Sequence, residues 1–441
     1  MFPSPAIPTT TPHALALLPS KDALVAEFRG KFLKDLRTPA FVIDRAVFAK
    51  NCARMHENAV GWGAGFRAHL KTHKTAEGTR MQLVSSANKT HAVVVSTLME
   101  AWQVHNTGLV ADGTVNDILY GLPVAANKVA DLSELWDKVA THGAVVRLLV
   151  DHPKQIEALE AFEGHRLNPR RWSVFVKIDG GQKRAGTEPG SPTFNALVQA
   201  IFASPSVSLF GFYAHAGNSY ASTSLSEATS ILSSEVQAVN DSARFALDII
   251  ARSPGAEATP PRFVLSVGST PTAHSASAEA RAQLQSLLHG TLELHAGNYP
   301  LLDLQQLHTN LIDRAHIAQK VLSTVISYYP GRGSGDTDEA LCDAGGIAVS
   351  KDQGPIPGYG DVIGKPWRLG RISQEHGILT RITGDTAESK SASLEIGETV
   401  EIVGQHACFI SAAYPWYYVT DSDADLGNDK VTDVWVPWKG W

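Results

Sequence analysis

Apolar residues in this chain fall into short β-rich runs separated by stretches with helical spacing. The runs are FRAHLK (66–71), HAVVVST (91–97), NDILYG (116–121), VVRLLV (145–150), WSVFVKID (172–179), SLFGFYAH (208–215), RFVLSVG (262–268) and TLELHAG (291–297). Between them lie segments such as LSELWDKVATH, KQIEALEAFEG and TFNALVQAIF, whose apolar positions repeat every three to four residues. Eight strands alternating with helices over about 230 residues predict an α/β fold, a (β/α)8 TIM-type barrel. An open doubly wound sheet is the competing arrangement. Upstream, Ser20 starts a helix with Leu24, Phe28 and Phe32 on one face, and TPAFVID (38–44) reads as a strand. Beyond residue 312 the texture changes to AQKVLSTVISYY, EALCDAGGIAVS, GILTRI, GETVEIVGQHACFIS and VWVPWKGW, strand-like runs with Gly, Pro and Asp turns between them. The expected division is an arm, helix and strand (1–45) that joins a C-terminal all-β domain (312–441), and a barrel (46–311) between them.

Composition narrows the function. A chain of 441 residues, 44% hydrophobic and 19% charged with a net charge of -6, is an ordinary soluble protein without the basic balance of a nucleic-acid binder. Three scattered cysteines (Cys52, Cys342, Cys408) do not build a disulfide framework and suggest a reducing compartment. The N-terminal stretch lacks a basic leader and no run approaches a membrane span, so a cytoplasmic enzyme or binding protein is expected.

Barrel enzymes carry their chemistry at the C-terminal ends of the strands, and the unusual residues of this chain fall there. The first strand runs into GFRAHLKTHKTAEG (65–78), where Arg67, His69, Lys71, His73 and Lys74 crowd together. Asp179 and Arg184 follow the fifth strand, and His215 and Tyr220 the sixth. VGSTPT (267–272) follows the seventh and HAGNYP (295–300) the eighth. Glycines in these last two loops let backbone approach a phosphate. Gly268, Ser269, Thr270, Gly297 and Asn298 are the candidate cradle, with the hydroxyls of Ser269 and Thr270 as donors. A phosphate site plus a lysine on strand one suggests pyridoxal 5'-phosphate, whose aldehyde condenses with an amine. Lys71 and Lys74 compete for that role; Lys71 ends the strand and faces the barrel mouth, and Lys74 falls in the loop. Cations such as Arg67 or His69 would lower the amine's pKa.

Taken together, TPAFVID, FRAHLKTHKT, VKIDGGQKRAG, FYAHAGNSY, SVGSTPT, ALCDAGG, SQEHG and GQHAC resemble, in order, the motifs of the eukaryotic-type D-serine dehydratases. These share a fold group with alanine racemase and D-threonine aldolase. The resemblance implies a pyridoxal-phosphate barrel with a β-domain, usually a homodimer, in which Lys71 is the imine lysine, Gly268–Thr270 the phosphate loop, and Arg184 and His215 neighbours of the cofactor. His295 stands where the racemases carry an arginine facing the pyridine nitrogen. If GQHAC is a strand, His406 and Cys408 share one face and reach one cation, and imidazole with thiolate favours Zn2+. A buried cysteine beside a chance histidine is the plain alternative; the resemblance turns the balance toward a metal, because the dehydratases carry this pair and the aldolases His-x-Asp. The implied activity is zinc-assisted dehydration of a small D-amino acid, D-serine, to pyruvate and ammonia. Aldol cleavage, dehydration of 3-hydroxyaspartate and non-catalytic carriage of the cofactor are the alternatives.

Overall fold

In the computed structural model, residues 13, 15–252, 261–284, 287–382, 393–424 and 428–441 are described. After β1 (Ala40–Asp44) come eight parallel strands: β2 (Gly65–His69), β3 (Ala92–Val95), β4 (Asp117–Pro123), β5 (Val145–Val150), β6 (Trp172–Lys177), β7 (Val207–Tyr213), β8 (Phe263–Val267) and β9 (Gly290–Ala296). They pair in chain order and β9 returns to β2, so the sheet is a closed barrel and not an open one. Runs such as Val93–Val95 are buried throughout because a parallel barrel strand faces side chains inside and helices outside. The longest helix, Leu225–Ala251, starts where the Ser224 hydroxyl accepts the Glu227 N–H, and buries Leu232, Val236, Val239, Ala243 and Ala246 at helical spacing.

The second unit is a nine-stranded sheet that adds β10 (Gln319–Tyr329), β11 (Glu339–Cys342), β12 (Gly360–Val362), β13 (Trp367–Ile372), β14 (Gly377–Arg381), β15 (Thr399–Gly404), β16 (Tyr417–Thr420) and β17 (Asp433–Trp435). β1 lies within it, antiparallel to β10 and parallel to β16. β10 also pairs with β11 and β15, so six of the strands close on themselves.

The division between units differs from the one read from texture. The compact units are residues 1–16, 53–297 and 438–441, and residues 17–52 and 298–437. Residues 298–312 go with the sheet because their short helix, Leu304–Leu307, is hydrogen-bonded to the turn after β15. Two runs expected as continuous strand turn into helix, at Gly346–Val349 and at Ala407–Ala413. The first helix stops at Phe28, before Phe32, as Gly30 takes a φ of +85°. No helix among the described residues is long and apolar enough to cross a membrane.

Candidate active site

The basic segment after β2 resolves into separate tasks. Arg67 is buried in the barrel, its guanidinium bonded to Glu293 at 2.9 and 3.1 Å and to Asp117 at 2.7 Å. Its charge is thereby neutralised, so it is not the cation expected to activate a lysine. His69 cannot be that cation either: burial, then the nearby charge of Lys71, hold its pKa well below the usual value and keep the ring neutral. β2 ends at His69, and Lys71 sits in the turn two residues further on rather than at the strand end, its N–H directed to His69 Nδ1 at 3.4 Å. Thr72 anchors this turn by donating to the Gly297 carbonyl at 3.1 Å. Buried His73 accepts the Thr75 N–H at Nδ1 and meets Gln82 through Nε2, and burial lowers its pKa to about 4. Lys74 takes a positive φ of 52° and pairs at 2.9 Å with Glu100, which is fully buried. Lys74 is therefore held in a structural ion pair, whereas Lys71 stays half-buried next to His69 and His215.

Facing that turn are the ends of β7, β8 and β9. His215 donates from Nδ1 to the Gly268 carbonyl at 2.7 Å, which leaves Nε2 as an acceptor. His295 lies flat on Tyr213, ring centroids 4.0 Å apart, with Nδ1 3.0 Å from the Ser266 hydroxyl. Burial drives the pKa of both histidines well below normal. Lys177, at the end of β6, is buried and lowered to about 8, first by burial and then by Arg184, itself exposed in the following loop. Tyr220 is half-buried in the turn Gly217–Ala221.

The glycine loops have the tightness expected of them, and one of their hydroxyls has a second, local task. Gly268 has φ +141°, and a Cβ there would lie 2.1 Å from the His295 carbonyl oxygen. A Cβ on Gly297 would lie 3.2 Å from both His69 Cβ and Lys71 Cε, so Gly297 adjoins the candidate lysine. The Ser269 hydroxyl, expected to donate to a phosphate, also caps Thr270–Ser275 by accepting the Thr272 N–H, and lies 2.6 Å from the Ser219 hydroxyl. The Gly268 N–H points to Glu235, a fully buried carboxyl raised to about 7 by burial. Thr270 is buried at the start of the helix.

These residues fit pyridoxal phosphate. A lysine amine, two close-approach glycines and three neutral imidazoles converge, and the buried Nε2 of His295 meets no hydrogen-bond partner among the described residues. An unpartnered buried nitrogen is costly unless a bound group satisfies it. Lys177, Glu235 and Ser219 belong to this neighbourhood and were not singled out as site residues from the sequence; Lys177 carried a weak signal, a lysine at the end of a barrel strand.

In the sheet unit, His406 and Cys408 come together for a different reason from the one expected. β15 ends at Gly404, His406 precedes the helix Ala407–Ala413, and Cys408 lies in its first turn. Burial opposes charge on His406, but hydrogen bonding to Cys408 and the charges of Cys408 and Asp303, with the Asp352 hydrogen bond, raise it to about 9. Nδ1 is 2.6 Å from Asp352 Oδ2, which leaves Nε2 for the thiol or an ion. Imidazole plus thiolate is a donor set that suits zinc, and two protein ligands leave coordination positions open. No cluster of three or more such side chains occurs among the described residues. Buried Asn298 donates to Asp303 at 2.5 Å. Nothing in the sequence marked Asp303 or Asp352, which meet these groups only through the fold.

Two family models match the chain: alanine racemase, N-terminal domain, over residues 43–284, and putative serine dehydratase domain over residues 318–420. A D-serine dehydratase of Schizosaccharomyces pombe is 43% identical over 427 residues, 96% of each chain. One from Saccharomyces cerevisiae is 34% identical, covering 95% of this chain and 99% of its own. Among solved structures, the D-threo-3-hydroxyaspartate dehydratase from Delftia sp. HT23 superposes with a TM-score of 0.76 at 28% identity, over 93% of this chain and 100% of that one. A cysteine-to-alanine mutant of D-threo-3-hydroxyaspartate dehydratase is described in a metal-free form. With near full-length identity of this order and a barrel and sheet of the same kind, the chain belongs to the D-serine dehydratase family, built on the alanine racemase-like fold.

Proposed function

We propose that this protein removes water from D-serine to give pyruvate and ammonia, with pyridoxal phosphate attached at Lys71 and zinc held by His406 and Cys408. The observation that carries the reading is the 43% identity to a D-serine dehydratase along the whole chain, with Lys71 set among His69, His215 and Gly297 at the barrel mouth. When bound, pyridoxal phosphate supplies an electron sink for the pair left on Cα. The chain's own residues do the rest. Lys71, on a turn fastened by Thr72, would hold the cofactor through its amine and, once the substrate's own amine has displaced it there, would take the Cα proton. The rings of His69, His215 and His295, kept neutral by burial, surround the turn that carries that amine. His406 and Cys408 would hold zinc, which supplies Lewis acidity toward an oxygen leaving group. Loss of water leaves an enamine whose hydrolysis yields pyruvate and ammonia.

A homodimer in the cytoplasm completes the proposal. The support for the compartment is that Cys52, Cys342 and Cys408 form no disulfide, which suits a reducing environment. Sedimentation and cell fractionation test these two points.

The test of function is turnover of D-serine by purified holoenzyme, scored as pyruvate and ammonia, with D-threo-3-hydroxyaspartate alongside because a dehydratase of that compound from Delftia sp. is 30% identical. No turnover of D-serine would refute the reading. For the metal, chelation or Cys408→Ala should abolish D-serine elimination and leave cofactor attachment intact. β-Chloro-D-alanine, which has a better leaving group, should keep much of its reactivity. Full D-serine activity in zinc-free protein would remove His406 and Cys408 from the reaction.

A further inference from the structure

The metal pair sits on a turn that has no stabilising ladder of its own, since β15 has ended and the helix is only starting. Gln405 is tied through its side chain to the Ile356 and Gly358 carbonyls, and the residues after it are held from a second short segment, Asp303–Gln305. Asp303 is fully buried, and its Oδ2 accepts the Ala407 N–H at 2.8 Å, the amide between His406 and Cys408. The same oxygen accepts Asn298 Nδ2 at 2.5 Å, and Oδ1 accepts the Gln306 N–H at 3.0 Å. Gln305 grips the turn from its other side. Its backbone N–H donates to the Gln405 carbonyl at 3.1 Å, and its side-chain amide donates to Asp352 Oδ2 at 3.1 Å and to the Gln353 carbonyl at 2.8 Å. Asp352 Oδ2 is the atom that meets His406 Nδ1. His406 is thus held through its ring by Asp352, itself steadied by Gln305, and through its following peptide by Asp303.

We propose that Asp303 and Gln305 are positioning residues for the metal: they set the direction of His406 Nε2 and the spacing of the Cys408 thiol without touching the ion. The inference rests on the reading of His406 and Cys408 as metal ligands. Groups that orient a ligating histidine typically change metal affinity by roughly 10- to 100-fold when removed. With no third candidate ligand grouped with the pair among the described residues, the orientation of each counts for more.

The experiment measures zinc affinity by competition with a chelator on cofactor-loaded protein, together with the visible spectrum of the cobalt(II)-substituted form and the melting temperature. Gln305→Ala removes the bond to Asp352 and should weaken zinc about 10-fold. Asp303→Asn places an amide where only acceptors fit, and should weaken it at least as much. Both should shift the cobalt bands. Gln353→Ala, an exposed side chain whose carbonyl stays in place, should change nothing. If wild-type protein takes up no zinc that the chelator competes for, the metal reading itself fails. If wild-type binds zinc and Gln305→Ala holds it equally, with the same cobalt spectrum, the positioning inference is overturned and the metal reading stands. A lower melting temperature with unchanged affinity and spectrum would likewise mark the segment as scaffold only. Should Asp303→Asn fail to fold, Gln305→Ala decides.

Discussion

Lys71 and Lys74 are three positions apart and chemically alike, yet their surroundings separate them. Lys74 neutralises Glu100, which is fully buried and also accepts the Ser96 N–H at 2.9 Å. Lys71 has Gly297 and two neutral imidazoles as neighbours. Lys71→Ala should therefore lose the covalent link to cofactor, seen as absence of a borohydride-fixable adduct by peptide mass. Lys74→Ala should keep the adduct and instead lose stability on the order of 1–3 kcal/mol, because a buried carboxylate is left without its cation. An adduct that survives in Lys71→Ala would overturn the assignment.

The loops after β8 and β9 are tight for different reasons, and the two glycines should respond differently. At Gly268 both the positive φ and a carbonyl 2.1 Å away forbid a side chain, and the obstacle is backbone of the adjacent strand. Gly268→Ala should distort the loop and weaken cofactor binding by more than tenfold, a factor worth about 1.4 kcal/mol. At Gly297 the obstacles at 3.2 Å are His69 Cβ and the flexible end of Lys71. Gly297→Ala should bind cofactor with a smaller loss and slow its attachment to Lys71. Equilibrium dialysis and stopped-flow absorbance distinguish the two; an unchanged dissociation constant in Gly268→Ala would remove that loop from the phosphate site.

Across the whole protein, burial of histidine makes folding sensitive to acid. His56, His69, His73, His215 and His295 all have pKa values lowered chiefly by burial, His73 to about 4. Below about pH 6.5 the unfolded chain protonates these rings more fully than the folded one, so the unfolded state binds more protons and stability falls as pH falls. For His73 the loss continues down to about pH 4. Glu235 and His406, raised to about 7 and about 9, act in the opposite sense as pH drops from 7, but the lowered histidines outnumber them. The cofactor-free protein should lose at least about 5 °C of melting temperature between pH 7 and pH 5, measured calorimetrically in buffers of equal ionic strength. A flat profile over that interval would show that these rings already accept protons in the folded state.

Number and order of the barrel strands were legible in the sequence because a strand buried on both faces is mostly apolar, whatever it packs against, even where it carries a buried ion pair such as Arg67 with Glu293. The glycine loops were legible too, since close backbone approach excludes other residues. What the neighbouring polar residues do was not. Arg67 and His73 look as available as Lys71 in GFRAHLKTHKTAEG, and only partners distant in the chain, Glu293 and Asp117 for one and Gln82 for the other, turn them into internal structure. The Ser269 hydroxyl became a helix cap because a local backbone N–H lies within its reach. His406 and Cys408 meet at a helix start, where expectation had a strand, and Asp303 and Asp352, which hold that turn, carry no local signature. Periodicity reports which side of an element is buried. The role of a buried polar group depends on which other polar group meets it, and that is decided by tertiary contacts alone.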